Sequence, residues 1–302
     1  MSVPLAFLGT ILIWSTTPLA IKWSSAGPGF MFAVTARMLI GTVGCLLLLS
    51  LLRARLHWHK RAMQIYVAEG MAIYGSMICV YWGTQFIPSG LVSVIFGLTP
   101  LLTGLMAALW LNEQSLTPVK LLGMLFAFVG LILIFADGFS AGSAALLGMG
   151  GILVATIMHS LTTVWIKKLG NDMSALSMTT GGLLVAMPLY LLTWGLLDGQ
   201  LPQAIPTKAA WAIIYLGLFG SVMGFILFFY VLKHVQASKV GLIPLVTPVL
   251  ALLLGASLNQ EAIPHVVWSG TGLILFGMSV YQWGHLLLRR PITAVVAQEE
   301  QV

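Results

Sequence analysis

One stretch of about forty residues occurs twice in this chain. Residues 91–130 read LVSVIFGLTPLLTGLMAALWLNEQSLTPVKLLGMLFAFVG, and residues 239–277 read KVGLIPLVTPVLALLLGASLNQEAIPHVVWSGTGLILFG. Thr99-Pro100 matches Thr247-Pro248 at an offset of 148, whereas Leu111-Asn112 matches Leu258-Asn259, and Gly123 and Gly130 match Gly270 and Gly277, at 147. A single one-residue indel accounts for the difference. A repeat half as long as the chain means two related structural units, expected here at 1–140 and 141–290, with 291–302 left as a disordered cytoplasmic tail.

Each unit is too apolar for water. Of the residues, 59% are hydrophobic and 7% charged, against roughly a quarter charged in soluble proteins. A soluble surface cannot be built from this chain, so the expected class is an all-α polytopic membrane protein. The basic residues come in short clusters between apolar runs, a pattern of membrane orientation and not of a nucleic-acid surface. The first apolar run starts almost at Met1, with no basic stretch before it and no small-residue cleavage site after it, so it is expected to remain as a helix. Cys45 and Cys79 lie inside apolar runs and are expected to be core residues.

A spanning helix needs about 20 apolar residues. Such runs fall near 4–23, 31–52, 63–86, 90–111, 117–136, 146–166, 174–196, 209–232, 239–258 and 266–288. Ten helices with short loops are expected, five in each half. If they alternate, Arg53, Arg55, Lys60, Arg61, Lys120, Lys167, Lys168, Lys233, Lys239, Arg289 and Arg290 fall on one side, with Lys208 alone on the other. The positive side is the cytoplasmic one, which places both termini there in a bacterial inner membrane. Five is odd, so the second half enters the membrane in the opposite sense. An inverted repeat of this kind is a hallmark of many secondary transporters, whose sites lie between the repeats.

The first helices of the halves echo each other, IWSTTPLAIK at 13–22 against MHSLTTVWIK at 158–167, and Tyr81-Trp82 aligns with Phe229-Tyr230. With its "TP…LNE" and "TP…LNQE" segments, the chain resembles the EamA-type permeases of the drug/metabolite transporter superfamily over nearly its whole length. Within that superfamily it is most similar to the bacterial YddG-like amino-acid exporters. The resemblance implies a basket of helices 1–4 and 6–9 around a central cavity, helices 5 and 10 outside it, and export from the cytoplasm.

Trp14 sits halfway along the first helix, and His159 is its repeat partner. Trp14 offers a flat apolar surface with one N–H, and His159 a donor and an acceptor. Ser15, Thr17, Thr156, Ser160 and Thr163 add hydroxyls, although Ser and Thr in membrane helices often bond to their own backbone instead. Tyr74, Tyr81 and Phe228 form the candidate aromatic wall for an apolar or aromatic substrate, with Ser93 and Phe96 on the fourth helix as weaker candidates. Pro18, one turn beyond Trp14, is a further candidate hinge. Pro100 and Pro248 are expected inside helices, where each frees a carbonyl and makes a hinge or a fixed kink. Gly123, Gly130, Gly270, Gly272 and Gly277 allow close helix approach.

Charges within the spans are few. Arg37 and Glu69 lie about two turns into their helices and are expected to snorkel or to pair with a polar neighbour. Glu113 and Glu261 read as boundary residues. No acidic pair marks an ion-coupling site, which favours facilitated movement, with proton coupling through His159 or Glu69 as the alternative. Few mid-membrane Lys or Arg residues disfavour phosphate-bearing substrates. No phosphate-binding loop, HExxH or Asp cluster is present, so an intramembrane lipid enzyme, a metal and a cofactor are not expected. A channel is the remaining rival; unlike a carrier, it would not saturate or show counterflow. The partners expected are the lipid bilayer and a small-molecule substrate, with no nucleic acid and no obligate protein partner. By resemblance the substrate is an amino acid, aromatic or large and apolar, or else threonine or methionine, with drugs or other metabolites as the alternative.

Overall fold

The computed structural model describes residues 2–111, 117–169, 173–234 and 243–287. The expectations for Glu113, Lys239, Arg289, Arg290 and the tail 291–302 lie outside these residues. The described chain is helical throughout: α1 (Val3–Ser25), α2 (Phe30–Leu51), α3 (Lys60–Gly83), α4 (Ser89–Phe96), α5 (Thr99–Trp110), α6 (Pro118–Ala141), α7 (Ser143–Leu169), α8 (Ala175–Leu197), α9 (Thr207–Tyr215), a π-helical segment (Leu216–Met223), α10 (Gly224–His234), α11 (Ile243–Asn259) and α12 (His265–Leu287). Polar residues between the apolar runs start the helices. The side chains of His59, Thr117 and Ser174 accept hydrogen bonds from the N–H groups of Ala62, Lys120 and Ser177, satisfying donors that a helix start leaves orphaned. The tight α1–α2 turn uses Gly27 and Gly29 at φ 103° and 82°, where a side chain is disfavoured.

Eight helical stretches are long and apolar enough to cross a membrane, with Ile243–Asn259 a shorter apolar helix. Helix α12 has 23 residues but carries Ser269, Thr271, Ser279 and Gln282, and it lies along α6. Large side chains such as Leu51, Phe128, Leu192 and Leu196 are 59–81% exposed. Their number and size suit contact with lipid and not with water.

The helix pairings close a ring. Helix α7 packs on α3, α3 on α8, α8 on α2, and α2 on α9 and the π segment. The eighth span packs on α1, α1 on α11, α11 on α4, and α4–α5 again on α7. Exchanging each helix for its repeat partner maps this ring onto itself, so the α3–α7 contact becomes the contact of α1 with the eighth span. Helices α6 and α12 pack on each other outside the ring.

The inversion is visible where repeat partners meet. Gly123 faces Gly277 and Gly130 faces Gly270, so that a Cβ on Gly123 would stand 2.6 Å from the Gly277 carbonyl oxygen and one on Gly130 2.5 Å from that of Gly270. The order rises along α6 as it falls along α12, so the two equivalent helices run antiparallel. The same holds for α2 and α8, where Phe32 meets Trp194 and Cys45 meets Thr180.

The prolines differ from one another. Pro18 and Pro248 lie inside continuous helices α1 and α11, as expected. Pro100 does not. The fourth span breaks at Gly97-Leu98, and Pro100 stands in the first turn of α5, where its missing N–H leaves no donor unsatisfied. Thr99 Oγ bridges the break by donating to the Phe96 carbonyl at 2.6 Å. Pro188, inside α8, is a further helix-interior proline.

Candidate substrate site

A polar cluster joins the helix ends on one side of the ring. At the C-terminal end of α1, Lys22 Nζ donates to the Ile87 carbonyl at 2.8 Å and stands 3.5 Å from Glu261 Oε1. Glu261 Oε2 accepts from the Ser89 N–H at 2.8 Å and the Ser89 hydroxyl at 3.0 Å. Its Oε1 accepts from Asn259 Nδ2 at 2.9 Å, and Asn259 Oδ1 accepts from Trp23 Nε1 at 2.8 Å. Lys208 Nζ covers the Trp23 ring at 3.9 Å. Gln260 adopts φ 51°, an uncommon left-handed conformation for a non-glycine residue. It stands between Asn259 and Glu261, and the turn it forms carries the Glu261 carboxylate to within 2.5 Å of where a Cβ on Gly255 would stand. The sequence placed Glu261 at a helix boundary; the structure joins it to Lys22 across 239 positions of chain.

Exposure along α7 changes from one end to the other. Leu147, Val154 and Trp165 form its lipid-exposed stripe, at 47–60% exposure. His159 and Thr163 lie roughly 125° and 165° round the helix from that stripe, on the side that carries buried Gly148, Ile152 and Ala155, yet both are exposed. On that side of α7 the residues are therefore buried as far as Thr156 and exposed at His159 and Thr163, with Ile166 buried beside them. Helix α1 repeats this in mirror sense. Trp14 and Thr17 are half-buried on the side away from Leu5, Leu8 and Leu12, and Ile21, further along the same face, is 2% exposed. The N-terminal end of α1 and the C-terminal end of α7 belong to the same mouth.

Trp14 stacks on Phe228, with ring centroids 4.9 Å apart and planes inclined by 33°. Its indole nitrogen would stand 3.3 Å from a Cβ on Gly224, so α1 and the eighth span meet face to face. Ser15 and its repeat partner Ser160 are fully buried, and their hydroxyls have no partner among the described residues. Thr163 instead bonds to its own helix, donating to the His159 carbonyl at 2.9 Å. Tyr74 is committed to the α3–α8 contact: its hydroxyl is 2.5 Å from the Thr193 hydroxyl and its ring stands edge-on to Tyr190 at 5.2 Å. Ser93 and Phe96 are half-buried at the break in the fourth span. Glu69 is half-buried against Gly182 of α8. The structure thus brings Trp14 and Phe228 together, places His159 and Thr163 on another wall, and uses Tyr74 in packing.

Arg37 neither snorkels to the surface nor finds a carboxylate among the described residues. It is 6% exposed, and its Nε donates to Ser221 Oγ at 3.2 Å. Ser221 in turn donates to the Leu216 carbonyl five residues back, at 3.1 Å, a bond that the wide π turn permits. The guanidinium stands 5.9 Å from the ring centroid of Tyr81, which is fully buried. Sequence reasoning passed over Ser221 and the π segment; the spacing of Gly217, Gly220 and Gly224 was the available signal.

A closed ring of inverted membrane helices, its helix ends joined on one side by polar contacts, is the architecture of a multi-pass membrane transporter. The chain belongs to the EamA-like transporter family, whose model matches residues 1–136 and again residues 146–281. It is 28% identical over 282 residues to the uncharacterized transporter YoaV of Bacillus subtilis, covering 92% of this chain and 96% of that protein. To the uncharacterized inner membrane transporter YedA of Escherichia coli K12 it is 26% identical over 220 residues, covering 71% and 69%. One crystal structure superposes with a TM-score of 0.66 at 20% identity, over 96% of this chain and 99% of that one, a likeness of fold.

Proposed function

We propose that this transporter is an inner-membrane carrier that exports small amphiphilic solutes, amino acids first among them, by alternating access between its two halves. The observation that carries this reading is the one-sided closure: Lys22 and Glu261 seal one mouth while His159 and Thr163 are uncovered towards the other. The uncovered mouth is the end at which most Lys and Arg residues cluster, which makes it the cytoplasmic one. A carrier loading from the cytoplasm needs that state. Trp14 and Phe228 supply apolar area for a side chain, and the buried hydroxyls of Ser15, next to Trp14, and Ser160, next to His159, which have no partner among the described residues, are the candidate donors. The amino-acid exporters that the sequence resembles support the choice of solute.

The test is counterflow. Purified protein in liposomes loaded with unlabelled phenylalanine or threonine should take up the labelled amino acid saturably. Uptake linear in concentration would point to a channel, and no uptake of any amino acid would remove this substrate class. Trp14→Ala and His159→Ala should each lower the rate about tenfold at unchanged expression. Normal rates for both would take these residues out of the path. A second reading, export of drugs or other metabolites by proton antiport, is favoured by Glu69, which makes no ion pair among the described residues; accumulation driven by a pH gradient would select it.

Pro248 is buried inside α11, and its ring removes a backbone hydrogen bond where that helix crosses α4 and α1. Pro248→Ala is expected to slow turnover several-fold while leaving half-saturation within about twofold. Equal changes in both constants, or in neither, would make the proline a fixed kink.

A further inference from the structure

We propose that Arg37 is the anchor for a carboxylate group on the transported solute, and that the π segment positions it one helical turn from the aromatic pair that takes the solute's apolar end. This rests on the carrier reading and names the chemistry of its site.

Arg37 lies about 10 Å along α2 from that helix's start, on the side away from lipid-exposed Leu39, Val43 and Leu47. A guanidinium at such a depth without a counterion is unfavourable, and ionisable groups that persist there mark substrate paths. Two buried donors, one on each of the neighbouring Arg37 and Tyr81 side chains, stay unused. Among the described residues Arg37 Nη1 and the Tyr81 hydroxyl have no hydrogen-bond partner, and the guanidinium carbon lies 5.9 Å from the Tyr81 ring centroid. A carboxylate accepts from both and neutralises the charge. One cation matches a monoanion; a phosphate ester would call for more.

The second half of the argument is spacing. A Cβ on Gly220 would stand 3.4 Å from Arg37 Nη2 and 3.7 Å from Thr17 Oγ1. Four residues on, a Cβ on Gly224 would stand 3.3 Å from the Trp14 indole nitrogen, and Trp14 stacks on Phe228. The glycine face of the eighth span therefore meets a charged head group position and then an aromatic one, roughly one turn further along. That is the reach from the carboxylate to the ring of an aryl-substituted acid or an aromatic amino acid.

Isothermal titration of the purified protein in nanodiscs would test this with three probes of similar apolar size: phenylacetate, phenylalanine and phenethylamine. Wild-type protein should bind the two carboxylates at least tenfold more tightly than the amine. Arg37→Gln should weaken phenylacetate at least tenfold and leave phenethylamine within twofold, and Arg37→Lys should recover part of the loss. Tyr81→Phe, which keeps the ring and removes only the donor, should weaken phenylacetate several-fold and serves if Arg37→Gln does not fold. Unchanged phenylacetate affinity in Arg37→Gln or in Tyr81→Phe would overturn the assignment, as would a wild-type protein that binds neither carboxylate. Saturable counterflow of a neutral or cationic solute without carboxylate binding would overturn it and leave the carrier standing. Carboxylate binding that needs Arg37, with no counterflow of any solute, would do the reverse.

Discussion

Glu261→Ala is expected to unseal the Lys22 mouth. The wild-type carboxylate is 6% exposed and holds Lys22, the Ser89 N–H and hydroxyl, and Asn259 at once. Removing one partner from a fully buried ionic cluster costs about 3–5 kcal/mol. Lys22 is 30% exposed, so water recovers part of this, and about 2 kcal/mol is the fair expectation. Since 1.4 kcal/mol is a factor of ten, the mouth should open roughly thirtyfold more often. Ser24 is 0% exposed on α1 beside this cluster, so a Ser24→Cys reporter in a Cys45→Ala, Cys79→Ala background reads the opening. Its labelling by a membrane-impermeant maleimide should accelerate by that factor when Glu261→Ala is added. An unchanged labelling rate would show that packing, and not the cluster, closes this end.

Gly277→Leu should do the opposite, harming stability and sparing transport. Helices α6 and α12 approach through Gly123, Gly130, Gly270 and Gly277, and any Cβ at these positions meets the facing backbone. A backbone cannot rotate away as a side chain can, so the helices must separate. Overpacking of a tight contact costs typically 1–3 kcal/mol, and a leucine here belongs at the upper end, about 3 kcal/mol. The melting temperature should drop by several degrees. Because this pair lies outside the ring of eight spans, counterflow per folded molecule should stay within about twofold of wild type. A transport loss without a stability loss would mean that the outer pair moves with the substrate cycle.

Much of the architecture was legible in the chain. Membrane helices must satisfy their own backbone, so apolar runs of the right length translate directly into helices. An odd number of them per repeat then dictates inversion. Gly123, Gly130, Gly270 and Gly277 were legible as close contacts because only a missing side chain lets two backbones touch, whereas Gly272, read the same way, faces open space. Trp14 could be placed at mid-span for the same reason of simple length.

Pro100 and the eighth span show where local reasoning stops. A proline in an apolar run reads as a kink within one helix, but Thr99 and Gly97 end one helix and start another around it. The π turn at Leu216–Met223 depends on Ser221 finding both the Leu216 carbonyl and Arg37, a partner 184 positions away. Composition cannot distinguish that turn from an ordinary helix.

The sequence by itself determined the class, the helix count per half, the inversion and the residues that a membrane makes expensive. Each of these follows from hydropathy, chain length and parity, which are local or additive. Only the tertiary structure decided what those expensive residues do. Lys22 and Glu261 became a seal, and Arg37 became a buried cation with a donor to spare, because ring closure sets helix ends and faces from opposite halves against one another. Coulomb attraction and hydrogen bonding act over a few ångströms of space and are blind to separation along the chain.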